Sequence, residues 1–304
     1  MGASPATDQR LDRTGLACGL AAYAAWGVLP VYFKAVESVG PVDLVAHRVC
    51  WSLLTLALVV TAIGGWPKLR AAFADRAVIR LLLLSSALVA TNWLLYVYAI
   101  DSGQVLAGSL GYYMNPLANI LLGYFFLSER LSRMQWLAVA IAAAGVSVLA
   151  VGALSTLWLS FALCISFSLY GFVRKKVAVD SLTGLVIETV VLVPLALLWL
   201  GLGLAAGRPI FGDASGATLA LLAVSGVVTC TPLLLFTEAA RRLPYSVVGM
   251  LQFIAPTLQF LLAVAAYHER FTHAHAVAFG AIWIALGLFV AGQRRPHDNR
   301  ASSD

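Results

Sequence analysis

Charge is what this sequence has least of. Only 11% of its 304 residues are Asp, Glu, Lys or Arg, against about 25% in an ordinary soluble domain. So few ionic groups cannot clothe a water-facing surface, which excludes a globular cytosolic enzyme. Cysteine is scarce too. Cys18, Cys50, Cys164 and Cys230 stand apart, with no CxxC pairing and no framework spacing, so a disulfide-built secreted scaffold is excluded. The long apolar runs lack the alternation of a membrane barrel. Walker loop, GxGxxG turn, HExxH and GxSxG are all missing, so nothing points to ATP hydrolysis or to a cofactor.

What is present is apolar residue in quantity, 61% of the chain before its 25 glycines are counted. A spanning helix needs about 20 mostly apolar residues to cross a hydrocarbon core of about 30 Å. Ten stretches qualify: 14–34, 43–63, 77–99, 103–127, 133–151, 154–173, 182–202, 217–239, 245–267 and 273–292. The weakest break, at Gly152–Thr156, divides a run that would otherwise be twice the bilayer. With the N-terminus in the cytoplasm, sixteen of the twenty Lys and Arg fall inside. Only Lys34, Arg48, Arg208 and Arg270 fall outside. That bias predicts cytoplasmic location for both termini of a multi-pass plasma (inner) membrane protein.

The chain also resembles itself. Laid on 231–271 at a shift of 140, residues 91–131 pair Thr91 with Thr231, Leu94–Leu95 with Leu234–Leu235 and Pro116 with Pro256. Glu129–Arg130 meets Glu269–Arg270 in the same gapless register. A shift of 141 brings Lys34 onto Lys175 and His47 onto Glu188. Five helices per half is an odd number, so the halves lie in opposite senses across the membrane. The expected fold is therefore all-α and integral to the membrane, ten transmembrane helices in two inverted five-helix repeats. Residues 1–151 form the first repeat, 152–292 the second, and 293–304 a cytoplasmic polar tail. Inverted repeats are characteristic of secondary transporters.

Several segments carry a further likeness: AHRVCWS (46–52), NWLLYVYAI (92–100), GYYMNPLANILLG (111–123), SER (128–130), RKKVAVDS (174–181) and LQFIAPTLQFLLAV (251–264). In these the chain resembles the RarD branch of the EamA-type transporters, within the drug/metabolite transporter superfamily. The resemblance covers essentially the whole chain. It implies a ten-helix permease with a central cavity, helices 5 and 10 lying to the side, and no enzymatic activity.

Polar groups inside the bilayer are costly, which makes each a candidate for the transport path. Arg48, beside His47, lies about two turns into the second stretch, and Glu188 about two turns into the seventh. His47 and Glu188 can both titrate, and either could bind substrate or a proton or serve as a buried anchor. Lys175 sits at a helix end. In the fourth stretch Ser109, Tyr112, Pro116 and Asn119 share one stripe, with Asn115 at its edge. In the ninth Gly249, Gln252, Pro256 and Gln259 do the same. Prolines free carbonyls near the midplane, where binding sites of this class form. Asn92, Trp93 and Tyr96 of the third stretch and Tyr170 of the sixth complete the candidate set, with Trp26 and Tyr23 of the first as members of an aromatic box or of the core.

The fifth and tenth stretches carry small-xxx-small pairs (Ala138/Ala142, Ala140/Ala144, Ala281/Ala285, Gly287/Ala291), suited to packing the halves together or to a homodimer face. His268, His273 and His275 lack an accompanying carboxylate or thiol cage, so no metal site is expected. The expected partners are a small-molecule substrate and membrane lipid, not nucleic acid. The reading is a permease moving a small organic metabolite or drug by alternating access, proton-coupled or by exchange. A membrane enzyme would need its reactive groups at one depth, and a channel would need a ring of like charges or a repeated filter.

Overall fold

A computed structural model of the chain describes residues 12–208, 211, 215–266 and 273–293. The expected polar tail from 294 onward, Glu269–Arg270 and His268 lie outside the described residues. Within them the fold is all-α, with no strand. The helices are α1 (Arg13–Ala35), α2 (Pro41–Ala62), α3 (Trp66–Ala74), α4 (Arg76–Asp101), α5 (Val105–Phe126) and α6 (Arg133–Ala150). After a 3₁₀ segment, Val151–Thr156, come α7 (Leu157–Lys176), α8 (Ser181–Ala205), α9 (Gly216–Arg242), α10 (Tyr245–Gln252), α11 (Ile254–Ala265) and α12 (His273–Gln293).

Capping side chains fix many of the starts. Asp12 accepts from the Gly15 amide, Asp75 from Ala77 and Val78, and Asp180 from Thr183, while Ser132 and Gln135 form a capping box on α6. Eight helices are long and apolar enough to cross a bilayer, counting Tyr245–Leu262 as one. α5 is long enough, but Tyr112, Tyr113, Asn115 and Asn119 dilute its hydropathy. The apolar part of α12 is shorter, Ala276–Gly292. The described residues of the stretches read from the sequence are mostly helical, and eight helices meet the length and hydropathy of a span.

Three features depart from the expectation. The loop after the second stretch contains α3, a nine-residue helix with Pro67 in its first turn, seated through Leu69 and Ala72. The ninth stretch is not one helix. Pro256 has no amide to offer the Gln252 carbonyl, the ladder lapses there, and the Phe253 amide reaches Met250 O at 3.3 Å instead. That is a 3₁₀-type step in mid-membrane. Pro116 leaves α5 unbroken, so the paired prolines have unequal effects. Finally, only half of the small-residue pairs meet a helix. α6 packs along α12 with Ala138, Ala142 and Ala285 buried, whereas Ala140, Ala144, Gly287 and Ala291 face outward.

Around that seam α1 packs on α9, α4 and α5 on α7, α2 on α8 and α9, and α5 on α10. Leu58, Phe125, Leu195, Leu202 and Ile284 point outward, each more than half exposed. The polar residues point inward, opposite to the arrangement of a water-soluble protein.

Candidate functional site

Polar side chains buried between the helices fall into three groups. The first surrounds Glu188, 2% exposed on α8. Arg174 of α7 faces it with Nε 3.5 Å from Oε1. The Ser85 hydroxyl of α4 donates to Oε1 at 2.5 Å, and the Tyr170 hydroxyl to Oε2 at 3.4 Å. Arg174 Nη2 donates to the Ser181 carbonyl at 3.1 Å, while Nε and Nη1 have no hydrogen-bond acceptor. Its guanidinium lies against the α-carbon of Gly184, where any β-carbon would collide with it.

By position Arg174 belongs to a terminal Arg-Lys-Lys cluster, which counts it among the loop charges. The structure corrects that. Ser166, Tyr170 and Arg174 recur every four residues, so all three share the inward face of α7 and Arg174 is 1% exposed. That phase was the available signal. Ser85 was missed as well; its place on α4 is seven residues before Asn92.

The second group surrounds Arg48 of α2. Its Nε donates to Thr229 Oγ1 of α9 at 2.8 Å. Its guanidinium carbon lies 5.4 Å from the ring centroids of both Phe33 and Trp93. A cavity of about 20 Å³, room for one water, is lined by members of both groups, though not by Arg48 itself. Its wall includes Trp93, Thr229, Ser52, Glu188, Tyr170, Val49 and Leu233. His47, adjacent in sequence, is buried and stacks on Phe211 at 5.2 Å between ring centroids.

The third group links α4, α5, α7 and α10. Asn92 Nδ2 donates to Leu163 O at 3.0 Å and to Ser166 Oγ at 3.1 Å, and Asn92 Oδ1 accepts from Tyr112 at 3.1 Å. Asn119 Nδ2 donates to Gln252 Oε1 at 2.8 Å. Asn115 is fully buried with neither end of its amide hydrogen-bonded. Gln259 is exposed and donates to Trp26 O at 3.0 Å. Tyr96 lies 5.5 Å from Tyr112 between ring centroids. Tyr23, Trp26, Phe167, Tyr170 and Phe236 fill one another's faces, with centroids 5.4–6.2 Å apart. In this conformation they form a packed core.

Where α9 turns into α10, two charges hold the turn. Lys175 Nζ donates to Ala240 O at 2.7 Å and Leu243 O at 2.6 Å. The Glu129 carboxylate, from the Ser-Glu-Arg segment after α5, accepts from the Tyr245 amide at 2.5 Å and the Ser246 amide at 2.9 Å. Glu129 thus serves as an N-terminal cap for a helix 116 residues away. Nearby, Ser181 donates to Glu238 at 2.8 Å, tying the start of α8 to the end of α9. Burial pushes the Asp180 carboxyl up, but the Thr183 donors and the Lys68 charge outweigh that and hold it below its ordinary value. Bonds to a charged acceptor are worth about 1.5–3 kcal/mol, so Glu129→Ala is expected to lower stability by about 2 kcal/mol or more. Thermal unfolding of the purified protein in detergent measures this.

Among the described residues no three His, Cys, Asp or Glu side chains group to hold a metal ion. The site is a set of polar contacts between helices, with the Arg174–Glu188 ion pair and the Arg48 cation among the described residues.

Comparison with known proteins points one way. The sequence profile of the EamA-like transporter family matches residues 13–151. An uncharacterized transporter of Vibrio cholerae is 42% identical over 299 residues, covering 96% of this chain and 97% of that protein. Protein RarD of Escherichia coli is 41% identical over 290 residues, 93% and 96% of the two chains. A chloramphenicol-sensitive protein RarD of Pseudomonas aeruginosa is 34% identical, covering 92% and 94%. A solved crystal structure superposes with a TM-score of 0.70 at 18% identity, over 93% of this chain and 99% of the other, a likeness of fold alone.

Proposed function

The chain belongs to the EamA-like transporter family, in its RarD-type branch, and from that premise we propose that it is a secondary active permease working by alternating access. It is a multi-pass membrane transporter and not an enzyme. The proposal adds the mechanism. Residues 1–151 and 152–292 act as two inverted five-helix halves in the plasma membrane, both termini cytoplasmic, and carry a small organic metabolite or drug by proton coupling or exchange.

The observation that carries this reading is the pattern of helix packing. Exchange α1 with α7, α2 with α8, α4 with α9, α5 with α10–α11, and α6 with α12. The most extensive contacts then map onto one another: α1·α9 onto α4·α7, α2·α9 onto α4·α8, and α5·α7 onto α1·α11, while α6·α12, α2·α8 and α5·α10 map onto themselves; α7·α9 has no comparable image in α1·α4. Two halves related in this way supply matching mouths to one central path. The buried groups around Arg48, Glu188 and Asn119–Gln252 lie between those halves and mark the path. The mechanism asks that the pairs mapping onto themselves act as pivots and the others as moving contacts.

Transport into vesicles tests it. The full chain is reconstituted, a pH gradient is imposed, and labelled chloramphenicol is the first probe, taken from the name of the Pseudomonas aeruginosa relative. A set of small organic acids and amines follows. Saturable uptake that is accelerated by substrate preloaded on the far side is expected. Unsaturable flux indifferent to preloading and to the gradient would overturn alternating access.

A further inference from the structure

Glu188 has Arg174 against it, so its charge is neutralised within the protein. Arg48 has no counterpart. Among the described residues no carboxylate lies at ion-pair distance from it. Among the described residues its hydrogen bond goes to a neutral hydroxyl, Thr229, through Nε. The rings of Phe33 and Trp93 engage the guanidinium but bring no negative charge. Arginine stays protonated, and an unneutralised cation between helices is among the costlier groups a membrane protein can keep.

We propose that Arg48 recognises the negative charge of the substrate, which makes the transported class small organic monoanions, carboxylates with a flat apolar body. This deepens the transport reading above and rests on it. With Nε committed to Thr229, the two Nη groups remain as a planar fork, the shape that holds a carboxylate in bidentate fashion. The count is one free positive charge, so one negative charge completes it. On the same helix, the Ser52 hydroxyl is buried without a hydrogen-bond partner among the described residues. Ser52 follows Arg48 by one helical turn and lines the same cavity as Thr229 and Trp93. It supplies a further donor for an anionic oxygen. The rest of the wall is mostly apolar, with Val49, Val89, Leu192 and Leu233 suited to a hydrocarbon body, and it reaches Tyr170 and Glu188, whose charge Arg174 neutralises. With room for one water, the cavity beside Arg48's partners Thr229 and Trp93 does not hold an acid in this conformation. Admitting an acid requires α2 and α9 to part from α4.

Three probes of one shape test the proposal: phenylacetate, phenylacetamide and phenethylamine, anion, neutral and cation. Binding to the purified full chain is read as a saturable rise in unfolding temperature in a sulfate buffer free of carboxylates and chloride. Phenylacetate is expected to bind at least tenfold more tightly than the amide, and the amine not at all. In Arg48→Gln the acid should lose its advantage, and Arg48→Lys should keep part of it. Should Arg48→Gln fail to fold, the wild-type ratio and the lysine variant decide. Equal or better binding of the amide or amine overturns the proposal, as does an unchanged preference in Arg48→Gln. So does stabilisation by chloride alone, or no binding by any of the three. Counterflow of labelled phenylacetate in vesicles separates the two readings. An acid that binds but is never carried sinks the permease and leaves the anion site. A saturably carried amine or amide, with no acid binding, does the reverse.

Discussion

Arg174→Ala should be among the most damaging single substitutions in the chain, lowering stability by about 3–5 kcal/mol. The residue is fully buried, and its removal leaves the Glu188 carboxylate inside the membrane with only the hydroxyls of Ser85 and Tyr170. Two neutral donors do not replace a cation 3.5 Å away. Glu188→Leu should cost a similar amount for the opposite reason, since it strands a guanidinium whose Nε and Nη1 already lack hydrogen-bond acceptors. The double variant Arg174→Met/Glu188→Leu should recover most of the loss, because replacing a buried pair by apolar side chains of like volume is often neutral or better. Thermal unfolding of the four proteins closes a double-mutant cycle. If the single losses simply add in the double variant, the two residues are not acting as a pair. Transport by a stable double variant then reports whether the pair does more than hold α7 to α8.

Gly226→Ala should be the second large effect, and it acts through backbone. α9 passes α2 so closely at this point that a β-carbon on residue 226 would overlap the Trp51 carbonyl and the Thr55 hydroxyl. A side-chain end can swing away, but a helical carbonyl cannot, so the helices must separate. Overpacking of this kind costs about 1–3 kcal/mol, sometimes more. The separation reaches Arg48, three residues before Trp51, and Thr229, three residues after Gly226. Their 2.8 Å hydrogen bond spans the same seam. Gly226→Ala is therefore expected to weaken acid binding together with stability. Gly216→Ala, at the start of α9 with open space around it, should change neither.

How much of this could be read in the sequence depended on range. The apolar stretches were legible because a bilayer demands about 20 such residues in a row, and the caps at Asp12, Ser132 and Asp180 lie within three residues of what they bind. Glu129 was legible only as half of a repeated Glu-Arg pair. Its partners, the amides of Tyr245 and Ser246, are 116 residues away, and no local pattern names them. Arg174 was hidden by its neighbours: Lys175 and Lys176 made it look like loop charge, although the four-residue rhythm with Tyr170 put it inside. The prolines were equally visible at 116 and 256, yet only one breaks its helix. The packing around each decides that, and a single sequence does not record it. Arg48 is the reverse case. Its place in an apolar run marked it at once, and the structure added the lack of a counter-ion.

The turn between α9 and α10 has a consequence for timing. It is gripped at both of its polar ends, carbonyls by the Lys175 ammonium and amides by the Glu129 carboxylate. Four charge-assisted bonds thus converge on the seven residues 240–246, from two different helices' ends. Parting the turn from α5 breaks one pair, and parting it from α7 breaks the other. Each bond is worth about 1.5–3 kcal/mol, so small excursions bring no relief until a whole pair lets go. This end of the molecule should therefore release in jumps rather than breathe, and dwell times there, rather than distances, are what salt or a neutralised side chain would alter.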